Sequence, residues 1–219
     1  MNTKKLAVGG ILILVVAAFA LGVSMYRKQT QSAQDQTVRA EQNRLVRMHS
    51  PVLGPQAAPV TIVEFFDPAC ETCRAFHPIV KGIVNASFSQ VRLVVRYAPL
   101  HKGSDTAVKI LEAARQQGKY WEALEKTMAA QPEWAAHNNP QPETIWDLIG
   151  DLGLDITKAK AAANTPEIDQ LLRQDVADMQ ALKVDRTPGF FVNGTPLREF
   201  GETQLKALVA QELAKPRPQ

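Results

Sequence analysis

Apolar and polar residues follow three patterns along the chain, and the first is an uninterrupted apolar stretch. Leu6 to Tyr26 is 21 residues without a charge, with basic residues on both sides. Roughly 20 apolar residues suffice for a helix to cross a bilayer, so residues 1–28 are predicted to be a membrane anchor. The alternative is a signal peptide cleaved after Ala18-Phe19-Ala20. The apolar run continues past that site, which favours the anchor.

The second pattern is mainly polar and covers residues 29–57. This segment is rich in Gln and then in Pro, and it has no sustained heptad of apolar residues. Such a composition is typical of a solvated linker. Residues 29–57 are therefore predicted to be a polar tether that holds the rest of the chain away from the membrane.

The third pattern begins at Val60, where short apolar runs alternate with helical periodicity. Val60–Phe66 and Val91–Pro99 are rich in β-branched and aromatic residues, which predicts two buried strands. Residues from Cys70 to about Asn85 have the spacing of a helix. Together these segments predict a β-α-β unit.

Helical periodicity then continues through residues 104–183, where successive amphipathic patterns predict a helical segment. A second group of strand signals follows. Gly189–Val192 is a short apolar strand, and Asn193-Gly194 is a strong hairpin turn that leads to another strand. Thr187-Pro188, directly before this hairpin, is a candidate cis peptide, and Glu202–Ala214 predicts a terminal helix.

Charge and composition narrow the functional classes. The chain carries a formal net charge of +3, but residues 1–28 hold four basic residues and no acid. The rest is close to neutral, which gives no reason to expect nucleic-acid binding. The chain has two cysteines, too few for a scaffold held together by several disulfides.

Those two cysteines fall where the first predicted strand meets its helix. The N-terminus of a helix has unpaired N–H groups and a partial positive charge, which stabilise a thiolate and lower its pKa. Cys70 lies where these amides point, and Cys73 lies about one turn further in, close enough to form a disulfide. We therefore expect Cys70 to be the attacking thiolate and Cys73 the resolving thiol of a redox pair.

Metal binding is the competing interpretation of the same motif. Cys70, Cys73 and His77 have the spacing C-x2-C-x3-H, which could bind copper or zinc. A structural zinc site needs four ligands, and the other three histidines are predicted to be isolated surface residues. No metal site is predicted, and a metal chaperone is kept as an alternative function.

Taken in order, C-x-x-C, Thr-Pro and FFVNG resemble the thioredoxin superfamily, and within it the DsbA-like periplasmic thiol oxidoreductases. The resemblance runs from near Pro59 to the terminal helix. It implies an α/β thioredoxin fold made of residues 58–103 and 184–219, with residues 104–183 inserted as a helical domain, and here preceded by an N-terminal transmembrane helix. Such an insertion is present in DsbA-like members and absent from plain thioredoxins.

The resemblance also implies roles for single residues. Cys70 matches the family's exposed nucleophile and Cys73 its resolving partner. Glu64, six residues before Cys70, matches a buried acid; desolvation would raise its pKa, so that it could relay a proton to or from Cys73. The alternative for Glu64 is a surface position on an edge strand.

Two further dipeptides matter for substrate binding and redox tuning. Thr187 and Pro188 match the cis-proline loop, where the backbone of Thr187 would bind an extended substrate strand. Glu71-Thr72 departs from the Pro-His of the most oxidising members. An ionised Glu71 would repel the Cys70 thiolate, so we expect a moderately oxidising protein.

The function implied is that of an enzyme without a cofactor, a single-pass protein of the bacterial inner membrane with its catalytic domain in the periplasm. It would introduce or exchange disulfides in exported cysteine-containing proteins and be reoxidised by a DsbB-like membrane partner. The Thr-Pro dipeptide is also similar to that of disulfide isomerases. A reductase or isomerase is therefore the alternative enzyme.

Overall fold

The computed structural model describes residues 21, 23–29 and 42–216. The chain divides into two compact units, residues 1–43 and 44–219. In the first unit, residue 21 and residues 23–29 are helical. Across the described ranges, no helix is both long enough and apolar enough to span a bilayer. The predicted anchor falls largely on residues 1–20, which lie outside the described residues, so it stays a prediction.

Within residues 42–216, five strands form one mixed sheet in the order β1-β3-β2-β4-β5. The strands are β1 (Val52–Leu53), β2 (Val60–Phe66), β3 (Val91–Tyr97), β4 (Gly189–Val192) and β5 (Thr195–Pro196). The central pair, β2 and β3, is parallel, and the other pairings are antiparallel. The predicted strands at 60–66 and 189–192 are confirmed, and the second predicted strand ends at Tyr97 rather than Pro99.

Helices occupy the β2–β3 crossover and the long connection between β3 and β4, and one more helix follows β5. They are α1 (Glu71–Ala86), α2 (Ser104–Gln116), α3 (Tyr120–Ala129), α4 (Gln131–Trp134), α5 (Ile145–Leu148), α6 (Ile156–Ala163), α7 (Pro166–Ala181) and α8 (Glu202–Leu213). Two short 3-10 turns flank α5, at Pro142–Thr144 and Gly150–Leu152. The fold is thus a thioredoxin-like α/β sheet with an inserted helical segment, as the sequence predicted.

Alternation along β2 assigns its side chains to the two faces of the sheet. Ile62 and Phe66 belong to the larger buried cluster, which also contains Cys70 and Cys73. Val63 and Phe65 belong to a smaller cluster on the opposite face. Glu64 shares the period of Ile62 and Phe66, so its carboxyl group belongs to the face that carries the cysteines.

The folded unit begins earlier than the tether predicted over residues 29–57. Leu45 is buried in the smaller cluster, and β1 pairs with β3 at the edge of the sheet. The Arg47 guanidinium donates two hydrogen bonds of 2.7 Å to Asp178 on α7. A two-residue strand is too short to show alternation, which is why the polar, Pro-rich composition concealed it. Residues 30–41 of the predicted tether lie outside the described residues.

A buried ionic cluster fixes this early segment to the sheet. The Arg96 side chain, which is 0% exposed, donates to Asp175 at 2.7 Å and to Asp178 at 2.8 Å, and also to the carbonyl oxygen of Arg44. His49 Nε2 lies 2.6 Å from Asp175 Oδ1, so the expectation that His49 is isolated was wrong. Removing one member of such a cluster leaves a buried charge unpaired.

Candidate functional site

The two cysteines lie at the carboxyl end of β2, in the turn that starts α1. Cys70 occupies the N-cap position, with φ −77° and ψ 120°, and Glu71 is the first helical residue. Both cysteines are free thiols. Cys73 is 0% exposed and Cys70 only 5%, so Cys70 is less accessible than the resemblance implied.

The surroundings of Cys70 favour its thiolate. A hydrogen bond from the Cys73 thiol is the largest influence; burial opposes it, and the Thr187 side chain and the backbone N–H groups of Cys73 and Thr72 add to it. Together they lower the pKa of Cys70 to about 5. The backbone amides lower the pKa of Cys70, as its position at the start of the helix predicted. The hydrogen bond from the Cys73 thiol was not anticipated.

The surroundings of Cys73 have the opposite effect. Burial raises the pKa of the Cys73 thiol well above its ordinary value, and its hydrogen bond to Cys70 and the negative charges of Glu64 and Cys70 act in the same direction. The Asp67 backbone N–H, 3.5 Å from Cys73 Sγ, opposes this shift. The reduced pair therefore holds one thiolate at Cys70 and one proton on Cys73.

Glu64 lies in the middle of β2, between β3 and β4. It is 1% exposed, so the alternative of a surface position on an edge strand was wrong. Its Oε1 atom is buried without a hydrogen-bond partner among the described residues. Burial, together with the charge of Cys70, raises the pKa of Glu64 to about 8. A carboxyl group with this pKa can gain and release a proton near neutral pH.

The fold brings Thr187 and Pro188 to the cysteines across 117 residues of sequence. The Thr187-Pro188 peptide is cis. Cys70 Sγ lies 3.3 Å from the Thr187 carbonyl oxygen, to which it donates when it is protonated. The Thr187 Oγ1 atom is buried and has no partner within the described part of the chain, so its hydroxyl is free to donate to a thiolate at Cys70.

A groove of about 360 Å³ opens beside this loop. Its lining includes the apolar side chains Phe190, Leu197 and Phe200, and the basic side chains Arg186 and Arg198. Phe200 is 45% exposed. Pro188 of the cis peptide also lines this groove.

Glu71 and Thr72, the predicted tuning pair, are both exposed. Their side chains extend into solvent, where charges are screened. The Thr72 backbone N–H is nonetheless one of the donors that lower the pKa of Cys70. The effect of the two side chains on redox properties stays a prediction.

Sequence reasoning missed Asp67, the residue that directly follows β2. Asp67 is 0% exposed. Its carboxylate accepts from the backbone N–H groups of Ala69, Leu100 and His101 at 2.7 to 2.9 Å, and from the Ser104 hydroxyl. The signal available was an acidic residue at the carboxyl end of a buried strand, directly before the cysteine motif.

Gln131, on α4 in the helical insertion, was also missed. Its Nε2 donates to the Pro68 carbonyl oxygen at 2.7 Å and to the Cys70 carbonyl oxygen at 3.0 Å. Gln131 is 1% exposed. No local sequence pattern predicts such a contact, because it joins residues more than sixty positions apart.

The metal alternative gains no support from the geometry. His77 is buried, and its Nε2 lies 3.0 Å from Glu125 Oε1; Lys81 binds the same carboxylate oxygen. In the part of the chain that the structure describes, no group of three or more His, Cys, Asp or Glu residues is placed to hold a metal ion.

Residues 47–211 match the family model described as thioredoxin. The chain is 32% identical over 162 residues to Na(+)/H(+) antiporter NhaA 3 of Salinispora tropica, covering 73% of this chain and 24% of the antiporter. It therefore spans about a quarter of that relative's length. It is 29% identical over 182 residues to Disulfide bond formation protein D of Bacillus subtilis, covering 74% of this chain and 77% of that protein.

This chain is also similar to a solved structure over most of its length. The thioredoxin-like oxidoreductase from Silicibacter pomeroyi DSS-3 superposes with a TM-score of 0.69 and 32% sequence identity. The superposition covers 80% of this chain and 98% of that one.

Proposed function

The chain belongs to the thioredoxin family, and we propose that it is a DsbA-like thiol–disulfide oxidoreductase that introduces or exchanges disulfides in exported proteins through Cys70 and Cys73. The observation that carries this proposal is the contrast between the two sulfurs. The pKa of Cys70 is lowered to about 5, whereas that of Cys73 is raised well above its ordinary value. In a dithiol with such unequal pKa values, one sulfur attacks substrates and leaves as a thiolate, and the other resolves the mixed disulfide.

The proposed reaction starts from the oxidised protein. A substrate thiolate attacks Cys70 Sγ, the Cys70–Cys73 bond breaks, and the Cys73 sulfur leaves and takes up a proton. The second substrate thiolate then attacks the substrate sulfur of the mixed disulfide, and Cys70 leaves as a thiolate. The substrate loses two electrons and gains a disulfide, while the protein gains two electrons. A stable Cys70 thiolate favours the reduced protein, and so makes its disulfide oxidising.

Glu64 serves as the proton carrier for Cys73 in this proposal. Its carboxyl group lies on the same face of the sheet, and its charge contributes to the raised pKa of Cys73. With a pKa of about 8, it is protonated in much of the population at neutral pH. It can therefore deliver a proton when Cys73 leaves and recover it when the pair is reoxidised.

Substrate binding is assigned to Thr187, Pro188 and the adjoining groove. The Thr187 carbonyl oxygen lies 3.3 Å from Cys70 Sγ, so an extended peptide paired with this backbone would place its cysteine at the reactive sulfur. The apolar lining of the groove suits the apolar side chains that an unfolded protein exposes. Cysteine-containing proteins that are not yet folded are the proposed substrates.

The proposed location is the bacterial inner membrane, with residues 1–28 as a single-pass anchor and the catalytic unit in the periplasm. Two observations support it. Residues 6–26 are uncharged and long enough to span a bilayer, and protein disulfides form chiefly in oxidising compartments. A DsbB-like membrane protein is the proposed acceptor of electrons from Cys70 and Cys73.

The direction of electron flow is tested by the redox state of the pair in the native host. Rapid acid quenching followed by alkylation separates the dithiol from the disulfide by mass. We expect a mostly oxidised pair, because the membrane partner of an oxidase returns it to the disulfide form. A mostly reduced pair would contradict the oxidase and support the reductase or isomerase alternative.

A further inference from the structure

A titratable residue outside the motif is bonded to the segment that carries the redox pair. His101 is in the connection between β3 and α2, and its Nδ1 lies 2.7 Å from Asp67 Oδ2. The His101 backbone N–H donates to the same oxygen at 2.9 Å. Two contacts to one buried carboxylate hold the imidazole in a fixed place, although 43% of its side chain is exposed. The expectation that His101 is isolated was therefore wrong.

Asp67 connects this imidazole to both cysteines. The Cys70 backbone N–H donates to the Asp67 carbonyl oxygen at 3.1 Å, and the Asp67 backbone N–H reaches Cys73 Sγ at 3.5 Å. The Ser104 hydroxyl also donates to the Asp67 carboxylate. The segment that carries the redox motif and the segment that carries His101 thus share one buried anchor.

The charges that act most strongly on His101 are negative. They come from Asp67 at the end of β2, and from Cys70 and Glu71 at the start of α1. Partial burial opposes a charge on the ring, but the hydrogen bond and charge of Asp67, followed by the charges of Cys70 and Glu71, raise the pKa of His101 above its ordinary value. On its own segment, His101 is followed by Lys102 and, at the start of α2, by Asp105.

We propose that His101, held by Asp67, is a positioning cation that stabilises the Cys70 thiolate and links the redox state of the Cys70–Cys73 pair to proton uptake at His101. This inference rests on the proposed role of Cys70 as the attacking thiolate. The dipeptide between the cysteines, Glu71-Thr72, provides no cation. His101 supplies one from a different part of the fold.

Reduction of the Cys70–Cys73 disulfide leaves one negative charge in the pair and releases one proton. Substrate dithiol reduces the Cys70–Cys73 disulfide by two electrons and becomes a disulfide itself. Of its two protons, one goes to Cys73 and the other is released, to His101 where the ring is neutral and otherwise to solvent. Cys70 is left as a thiolate opposite an imidazolium. Reoxidation removes the thiolate charge and lowers the affinity of His101 for its proton.

The first arm of the test compares variants of the full-length reduced protein. In His101→Asn we expect the pKa of Cys70 to rise by about half a unit, a roughly threefold change, because the cation is partly screened by solvent. The equilibrium constant with glutathione should shift by the same factor towards a less oxidising protein. His101→Lys retains a cation and should lie closer to the parent protein. The control is His137→Asn, which changes an exposed histidine.

The second arm measures the reverse effect, because a coupling free energy acts equally on both partners. The imidazole signal of His101, assigned by its loss in His101→Asn, is titrated by NMR in the reduced and oxidised protein. We expect the pKa of His101 to be about half a unit lower in the oxidised protein, which lacks the Cys70 charge. A histidine that only supports the loop would titrate identically in both states.

The outcomes separate this inference from the proposed function. If His101→Asn leaves the Cys70 titration and the glutathione equilibrium unchanged while Cys70 of the parent protein titrates well below a free cysteine, the role of His101 is overturned and the proposed function stands. If Cys70 of the parent protein is no more acidic than a free cysteine, the proposed function fails, and this inference fails with it.

Discussion

At the scale of single residues, the site depends on three ionisable groups in unequal environments. Cys70 is surrounded by donors, and its pKa is lowered to about 5. Cys73 and Glu64 are buried on the same face of the sheet, and burial raises the pKa of each. One negative charge is therefore favoured at Cys70, while protons are retained at the other two groups.

Glu64→Gln should make the protein more stable at high pH. The folded protein keeps a proton on Glu64 that the unfolded chain releases, so the free energy of unfolding falls as pH rises from the ordinary glutamate pKa to about 8. The variant does not lose this stability and should therefore be more stable than the parent protein by on the order of 5 kcal/mol above pH 8. Denaturant unfolding of the reduced protein at several pH values measures it.

The matched control for this prediction is Glu133→Gln, which changes an exposed glutamate on α4. It should leave the pH dependence of unfolding unaltered. Equal pH dependence in Glu64→Gln and the parent protein would show that Glu64 is ionised as easily in the folded state as in the unfolded one.

The division of roles between the cysteines gives a second prediction at this scale. Cys73→Ala leaves the Cys70 thiolate without a resolving partner, so mixed disulfides with substrates should accumulate. Cys70→Ala leaves a buried thiol of raised pKa and should trap few substrates. Non-reducing gels of the two variants expressed in the native host compare them. Equal trapping would refute the assignment of the attacking sulfur to Cys70.

At the scale of secondary-structure elements, the helical insertion does more than cover the sheet. Through Gln131, α4 holds the carbonyl oxygens of Pro68 and Cys70, and through Asp67 the loop before α2 holds the other side of the same turn. The turn that carries the redox motif is thus held by hydrogen bonds from two separate elements, α4 and the loop before α2. These contacts hold the reduced pair at the start of α1.

Gln131→Met should loosen this turn while keeping the side-chain volume. Loss of two buried hydrogen bonds should lower the free energy of unfolding by about 1–3 kcal/mol. It should also speed amide hydrogen exchange at residues 70–73. The control is Gln117→Met, which removes two hydrogen bonds of similar length to Asp155, away from the cysteines. If both variants speed exchange at residues 70–73 equally, the hydrogen bonds of Gln131 do not specifically stabilise the turn.

At the scale of the whole molecule, sequence reasoning succeeded where a pattern is local. Strand β2, the C-x-x-C motif at a helix start and the Asn193-Gly194 hairpin each depend on neighbouring residues. It failed where contacts span the chain. Arg96 meets Asp175 across 79 residues, and neither β1 nor the contacts of Gln131 leaves a periodic signal, so the start of the folded unit and the support of the active-site turn were not foreseen.

The predicted anchor belongs to this scale as well. Full-length protein in the native host should remain with the membrane after carbonate extraction, because residues 6–26 are uncharged and long enough to span it. A chain starting at residue 29 should be released and keep its activity towards model dithiols, since the redox motif lies far beyond that point. Recovery of a mature N-terminus at Leu21 would establish the signal peptide instead.

The most direct test of the central claim is a pH titration of the reduced full-length protein, followed by the ultraviolet absorbance of the thiolate. We predict a single transition with its midpoint near pH 5, absent from Cys70→Ser, and no second thiolate until far more alkaline pH because of the raised pKa of Cys73. A first transition at the ordinary cysteine value of about 8.5, or one that persists in Cys70→Ser, would contradict the account.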